Sequence, residues 1–255
     1  MTLRVAFTVD LEQDCPPYLD TYRGAEVGMP QLLGLLAGAG VVATVFTTGD
    51  VARRYPDLVR EIVSAGHELA CHGDTHRAFD RLSDTEVAEE IARSSESLRR
   101  FAPVTAFRAP YLRLPRRHLP ALRASGYAVD SSEGTYKSPG LTTREDQGLL
   151  RVPASMTSSA LRLPRLVRNA LLASLGSRLV LFAHPWELVD LRRAKIRWDC
   201  RAGTGEHAVR AVGGTLRDLR ARGATFGTIS AFAEEVRREH ASDGAHESER
   251  NATEG

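Results

Sequence analysis

Two histidines four positions apart, His72 and His76 in HGDTH, and three carboxylates spaced by two, Asp10, Glu12 and Asp14 in FTVDLEQD, are the groupings with the clearest chemical use. Two neutral imidazoles plus one carboxylate, with coordination positions left over, make a competent catalytic site for Zn²⁺ or a similar divalent ion. The i, i+4 spacing predicts that both imidazoles share one face of a single helical turn. In an extended chain Asp10 and Glu12 point to the same side, so one can bind metal while the other takes a proton from water. A bound metal lowers the pKa of that water from about 15.7 to roughly 7. Each grouping alone has a plainer reading: capping or surface histidines, and an aspartate that closes a turn after a strand. His67, in the same stretch HELACHGDTH, has the parity of a strand interior and is expected to be structural.

Such groups need elements that converge. Short apolar, β-branched runs recur at 4–9, 41–47, 67–72, 104–109, 127–131, 149–154, 178–184 and 224–230. Between them, Gln31–Ala39, Val51–Ala65, Asp84–Phe101, Pro115–Ala124 and His207–Arg222 carry apolar residues at helical spacing with charges opposite. This alternation predicts right-handed βαβ crossovers and, without a nucleotide-binding glycine loop, an α/β fold: a single (β/α) barrel rather than a doubly wound sheet. Catalytic groups of a barrel gather where strands end. The ionisable residues fall there: Asp10, Glu12 and Asp14 after the first strand, His72 and His76 after the third, Arg108 and Tyr111 after the fourth, Asp130 after the fifth, and His184 with Glu187 after the seventh.

The bulk properties narrow the classes. A chain of 255 residues, 42% hydrophobic and 26% charged, suits one large globular domain, expected at 1–238 with a polar, disordered tail at 239–255. A formal net charge of +2 with interspersed signs argues against nucleic-acid binding. Cys15, Cys71 and Cys200, far apart and without a CxxC pair, argue against a disulfide framework. The start MTLRVAFTVD enters a strand at once with no secretory pattern, so a cytoplasmic location is expected. Arginines interrupt the leucine-rich stretch 161–175, which therefore does not span a bilayer.

In order, the segments FTVDLEQD, HGDTH, FRAPYLR, VDSSEG and LVLFAHP resemble the five motifs of the NodB-type polysaccharide deacetylases, carbohydrate esterase family 4. The resemblance covers roughly residues 3–230 and implies a distorted (β/α)7-like barrel. It implies a metal-dependent amidohydrolase that removes an N-acyl group, acetyl or formyl, from an amino sugar by attack of metal-activated water. Carried over by position, Asp10 resembles the general base, with Arg108 holding its carboxylate; Glu12, His72 and His76 resemble the metal ligands, with Asp14 in reserve for Glu12. The Tyr111 N–H resembles an oxyanion donor, and Asp130 the aspartate that orients and charges the acid, His184. Zn²⁺ is the expected ion, with Co²⁺ or Mn²⁺ as alternatives. The chain departs from the family by lacking its DxxDW tryptophan, and HPWEL adds Trp186 and Glu187, which shape or charge the pocket.

Residues 20–46 resemble the deformylases that act on undecaprenyl-phosphate-linked amino-arabinose, which implies an intracellular lipid- or nucleotide-linked sugar as substrate. The segment 160–178 reads as an amphipathic crossover helix burying its leucines, with peripheral membrane contact through leucines and arginines as the alternative. Two other classes are compatible with parts of the pattern, an allantoinase-like cyclic-amide hydrolase and a non-catalytic sugar-binding module.

Overall fold

The first strand, Arg4–Leu11 (β1), is buried from Val5 onward, as a strand covered on both faces must be. Its odd-numbered side chains Val5, Phe7, Val9 and Leu11 pack outward into a helical shell, and Ala6 joins a separate interior cluster. Thr8 and Asp10 share the inward parity of Ala6. In this computed structural model, which describes residues 2–138 and 140–239, eight further strands extend that pattern: Thr44–Thr47 (β2), Glu68–Cys71 (β3), Ala106–Phe107 (β4), Val129–Asp130 (β5), Arg144–Asp146 (β6), Leu149–Arg151 (β7), Arg178–Ala183 (β8) and Thr225–Gly227 (β9). They make one sheet in the order β6-β7-β5-β4-β3-β2-β1-β8, with β9 pairing the start of β1.

Every pairing is parallel except the β6–β7 hairpin, whose turn residues Gln147 and Gly148 both have positive φ. The sheet curls into a half-barrel, in line with the barrel expected from the alternation and the distorted (β/α)7-like form implied by the resemblance. Beyond β7, the Ser155 N–H donates to the Val180 carbonyl at 2.8 Å and Ser155 Oγ accepts the Val180 N–H at 2.8 Å, which brings the two ends of the ring together.

The crossovers run through Met29–Gly38 (α1), Gly49–Arg54 (α2), Pro56–Ser64 (α3), Asp84–Leu98 (α4), Leu119–Ala124 (α5), Arg165–Ser174 (α6), Trp198–Arg201 (α7) and Glu206–Ala221 (α8). The single helix expected at Val51–Ala65 is two, because Pro56 cannot continue α2 and instead opens α3. The run expected as a strand to residue 230 ends at Gly227, and a helix (α9) occupies 229–239. Its Ile229, Phe232, Ala233 and Val236 fill the barrel floor against Ala6, Phe46, Ala70, Ala106 and Val180. Its first N–H groups are received by Thr44 Oγ1, at 2.7 Å from Ile229 N, and by Glu68. From residue 240 the expected tail lies outside the described residues.

Candidate active site and metal centre

Parity along four strands brings the site together at the end opposite α9. Ala70 and His72, Ala106 and Arg108, and Val180 and His184 keep the inward parity of Ala6 and Asp10, whereas Cys71, Phe107 and Leu181 face the shell. Glu12 follows Asp10 just past the end of β1. Its Oε2 lies 3.1 Å from His72 Nε2 and 2.6 Å from His76 Nε2. Glu12, His72 and His76 are the one cluster among the described residues whose ligand atoms could hold a metal ion, all within 4.8 Å of one another.

The donor set suits such an ion. His72 Nδ1 lies 2.7 Å from the Arg108 carbonyl oxygen, which only accepts, so Nδ1 carries a proton and Nε2 is the ring atom that faces Glu12. Burial would raise the Glu12 carboxyl, but His76, His72 and His184 outweigh it and hold the group well below the usual carboxylate range. Asp14 is committed elsewhere: it accepts Thr21 Oγ1, the Arg23 N–H and the Gly24 N–H at 2.7–2.8 Å and so folds the loop after β1.

The helical turn expected around HGDTH is a loop instead. Gly73 and His76 both have positive φ, 76° and 58°, which no helix allows. Glu90 of α4 holds the loop open, accepting the Asp74 and Thr75 N–H groups at 2.9 and 3.0 Å and Thr75 Oγ1 at 2.6 Å. The two histidines therefore meet through a turn built by a distant carboxylate, not through helical periodicity.

On one side of the cluster lies Asp10, and on the other His184. Arg108 is completely buried and donates to Asp10 Oδ1 at 2.5 Å, to Thr8 Oγ1 at 2.9 Å and to Ser131 Oγ at 3.0 Å. Its guanidinium stacks 4.1 Å from the Phe46 ring centroid. Asp10 Oδ2 remains toward the cleft, 3.9 Å from His184 Nε2.

Asp130 does not meet His184. On β5 Val129 points into the barrel and Ser131 reaches Arg108, so Asp130 between them points to the shell, where Arg151 donates to it at 2.6 Å. The carboxylate beside His184 is Glu187, whose Oε1 lies 3.4 Å from Nδ1, accepts Ser158 Oγ at 2.7 Å and sits 3.7 Å from the Arg162 guanidinium. Burial disfavours a charged His184, but Glu187, Glu12 and Asp10 outweigh it and push it up to about 9. Trp186 stacks on His184 at 4.8 Å and its indole N–H donates to Glu12 Oε1 at 3.2 Å. The His184–Leu188 segment is clamped by Gly28, where a Cβ would come within 2.0 Å of the Pro185 carbonyl oxygen.

These groups line a cleft of about 800 Å³. Tyr111, with φ 61°, meets the His76 ring edge to face in the wall, with the ring centroids 4.6 Å apart. Arg77, Arg81 and Arg113 add positive charge at one side. Cys15 and Cys200, distant in sequence, pack in one cluster and both line the cleft, and no cysteine among the described residues is in a disulfide. His67 accepts the Ala43 N–H at 3.1 Å and is structural, as its parity predicts.

Residues 5–129 match the polysaccharide deacetylase family. A chitooligosaccharide deacetylase from Bradyrhizobium sp. (strain ANU 289) is 35% identical over 85 residues, 32% of this chain and 39% of that protein, so the match spans well under half of the relative. A polysaccharide-deacetylase-like structure from Mycobacterium smegmatis superposes with a TM-score of 0.69 at 24% identity, covering 94% of this chain and 91% of the other. A CE4 family pseudoenzyme from Bacillus anthracis also shares the fold, with a TM-score of 0.61 at 14% identity over 91% and 66% of the two chains.

Proposed function

Because the chain carries a polysaccharide deacetylase domain of the NodB type, carbohydrate esterase family 4, we propose that it hydrolyses the N-acyl group, acetyl or formyl, of an amino sugar. The observation that carries this reading is the convergence of Glu12, His72 and His76 between a carboxylate, Asp10, and an imidazole, His184. The pseudoenzyme shows that fold alone does not make a catalyst; here base, acid and ligand set all face one cleft.

Glu12 Oε2, His72 Nε2 and His76 Nε2 would hold a divalent ion, Zn²⁺ or else Co²⁺ or Mn²⁺. When bound, such an ion polarises water and the amide carbonyl. Asp10, anchored through Oδ1 to Arg108, takes the proton of the attacking water on Oδ2. The Tyr111 N–H supplies a donor for the oxygen that gains charge. His184 delivers its Nε2 proton to the departing nitrogen, with Glu187 holding Nδ1–H in the role expected of Asp130. Of the arginines that line the cleft, Arg77 is paired with Glu86 and Arg113 with Asp80, and Arg81 is the one that favours a sugar carrying phosphate, hence a lipid- or nucleotide-linked intermediate.

Asp10→Asn tests the core of this scheme. Metal content by elemental analysis stays at the wild-type level while turnover of N-acyl amino sugars falls by at least about 10²-fold. Undiminished turnover would remove Asp10 as the base. Screening N-acetyl and N-formyl sugar nucleotides and polyprenyl-phosphate sugars for released acetate or formate identifies the substrate.

A further inference from the structure

Four apolar side chains on one flank of the cleft are left in solvent: Leu163 at 37%, Leu166 at 84%, Val167 at 53% and Trp198 at 73% exposure. They come from two segments distant in sequence, the entry to α6 and the single turn of α7. Arg162 joins these segments, because its guanidinium donates to the Asp199 and Cys200 carbonyls at 2.9 Å while its own backbone leads directly into Leu163. Arg162, Arg197, Asp199 and Cys200 also line the cleft, so the apolar group stands at its edge. The amphipathic reading of 160–178 is thus half met: α6 buries Leu172 and Arg168 but turns Leu166 and Val167 outward.

The segment that carries Trp198 is rich in positive charge. Residues 190–201 hold five cations, Arg192, Arg193, Lys195, Arg197 and Arg201, against two carboxylates, Asp190 and Asp199. Arg192 and Arg197 are paired with those carboxylates, whereas Arg193 and Lys195 are exposed and form no ion pair among the described residues. Arg165, beside Leu166, is exposed too but is paired with Asp218.

We propose that this flank docks on a bilayer that carries anionic lipid. Aliphatic side chains at this exposure gain by entering the acyl boundary, an indole favours the headgroup level, and cations beside them meet anionic headgroups. A glycan strand is a poorer match, since only Trp198 offers it a flat aromatic face, while Leu163, Leu166 and Val167 present neither such a face nor a hydrogen-bonding group. A second copy across a two-fold axis is poorer too, because it would press one cationic segment against its equivalent. Docked this way, the cleft edge at Arg162 and Arg197 lies at headgroup depth, within reach of a substrate held in the membrane surface. The inference goes beyond the hydrolase reading, and its test does not need activity.

The full chain is floated with vesicles of phosphatidylcholine alone and of phosphatidylcholine mixed with phosphatidylglycerol. Enrichment is expected on the mixed vesicles and is expected to weaken as salt is raised. Leu166→Glu and Trp198→Ala should each lower partition about tenfold, the scale of one apolar side chain withheld from burial. Both residues are exposed, and unchanged circular dichroism shows that the variants are folded. Absence of enrichment on mixed vesicles, or enrichment that neither substitution alters, overturns the proposal. So does sedimentation that shows a dimer which Leu166→Glu dissociates.

Discussion

Glu187 stands beside His184 where Asp130 was expected, and the role proposed for it there is testable. Glu187→Gln removes the charge beside His184 Nδ1, so kcat should fall by about 10² or more with KM little changed and metal retained. Glu187→Asp should recover part of the loss, and ¹⁵N chemical shifts of His184 should show the tautomer change in Glu187→Gln alone. Asp130→Asn acts on the fold: it removes the nearest of the three carboxylates, Asp130, Glu133 and Asp146, that face buried Arg151, read as a lowered Tm with kcat per folded molecule retained. The residue identities around Asp10, His72, His76, Arg108 and His184 were legible because chemistry restricts what can stand at a strand end. The error over Asp130 was a parity error. Val129 belongs to the interior cluster, so its neighbour cannot face the same way, and the apolar run YAVDS held that signal. Glu12 was separable from Asp14 only by hydrogen bonds to Thr21, Arg23 and Gly24, contacts that no spacing encodes.

Elements were legible where period and composition agreed. The eight apolar runs each contain a strand, but β6 escaped because RED is a polar edge segment defined by its pairing with β7. The helix at 229–239 escaped because ATFGTIS reads as one β-branched run. Its start does carry a capping signal, with Thr228 Oγ1 accepting the Ala231 N–H at 3.2 Å. The attachment of α6 to α8 is electrostatic as well as apolar: Asp218 accepts Arg165, Arg168 and Asn169, and these partners hold its carboxyl below the usual range, Arg165 foremost. A lowered carboxylate stabilises the fold above its unfolded pKa of about 3.9 and loses that contribution as pH falls through the folded value. Asp218→Asn should therefore unfold earlier than wild type in urea at neutral pH, and the two midpoints should draw together at acid pH below the ordinary carboxylate range.

For the whole molecule, the candidate metal cluster and its neighbours tie β1, the loop after β3 and the segment after β8 into one end of the barrel. An ion that binds only the folded chain should stabilise it by about 2.7 kcal/mol at a hundred times its Kd. For a chain of this size that is a rise in Tm of several degrees. Calorimetry of chelator-treated protein with and without Zn²⁺ should show the rise, and Glu12→Gln should abolish it. No helix among the described residues is long and apolar enough to cross a membrane. The ring itself is not uniform: β1 is paired along its length by β8, with β2 and β9 dividing its other edge, whereas the far side of β8 meets the chain after β7 through Ser155. A ring with one weak link has a place where it parts first. In deuterium exchange the amides of Ser155 and Val180 should lose protection through local opening while those in the middle of β1 exchange only with global unfolding, so the barrel breathes along that seam.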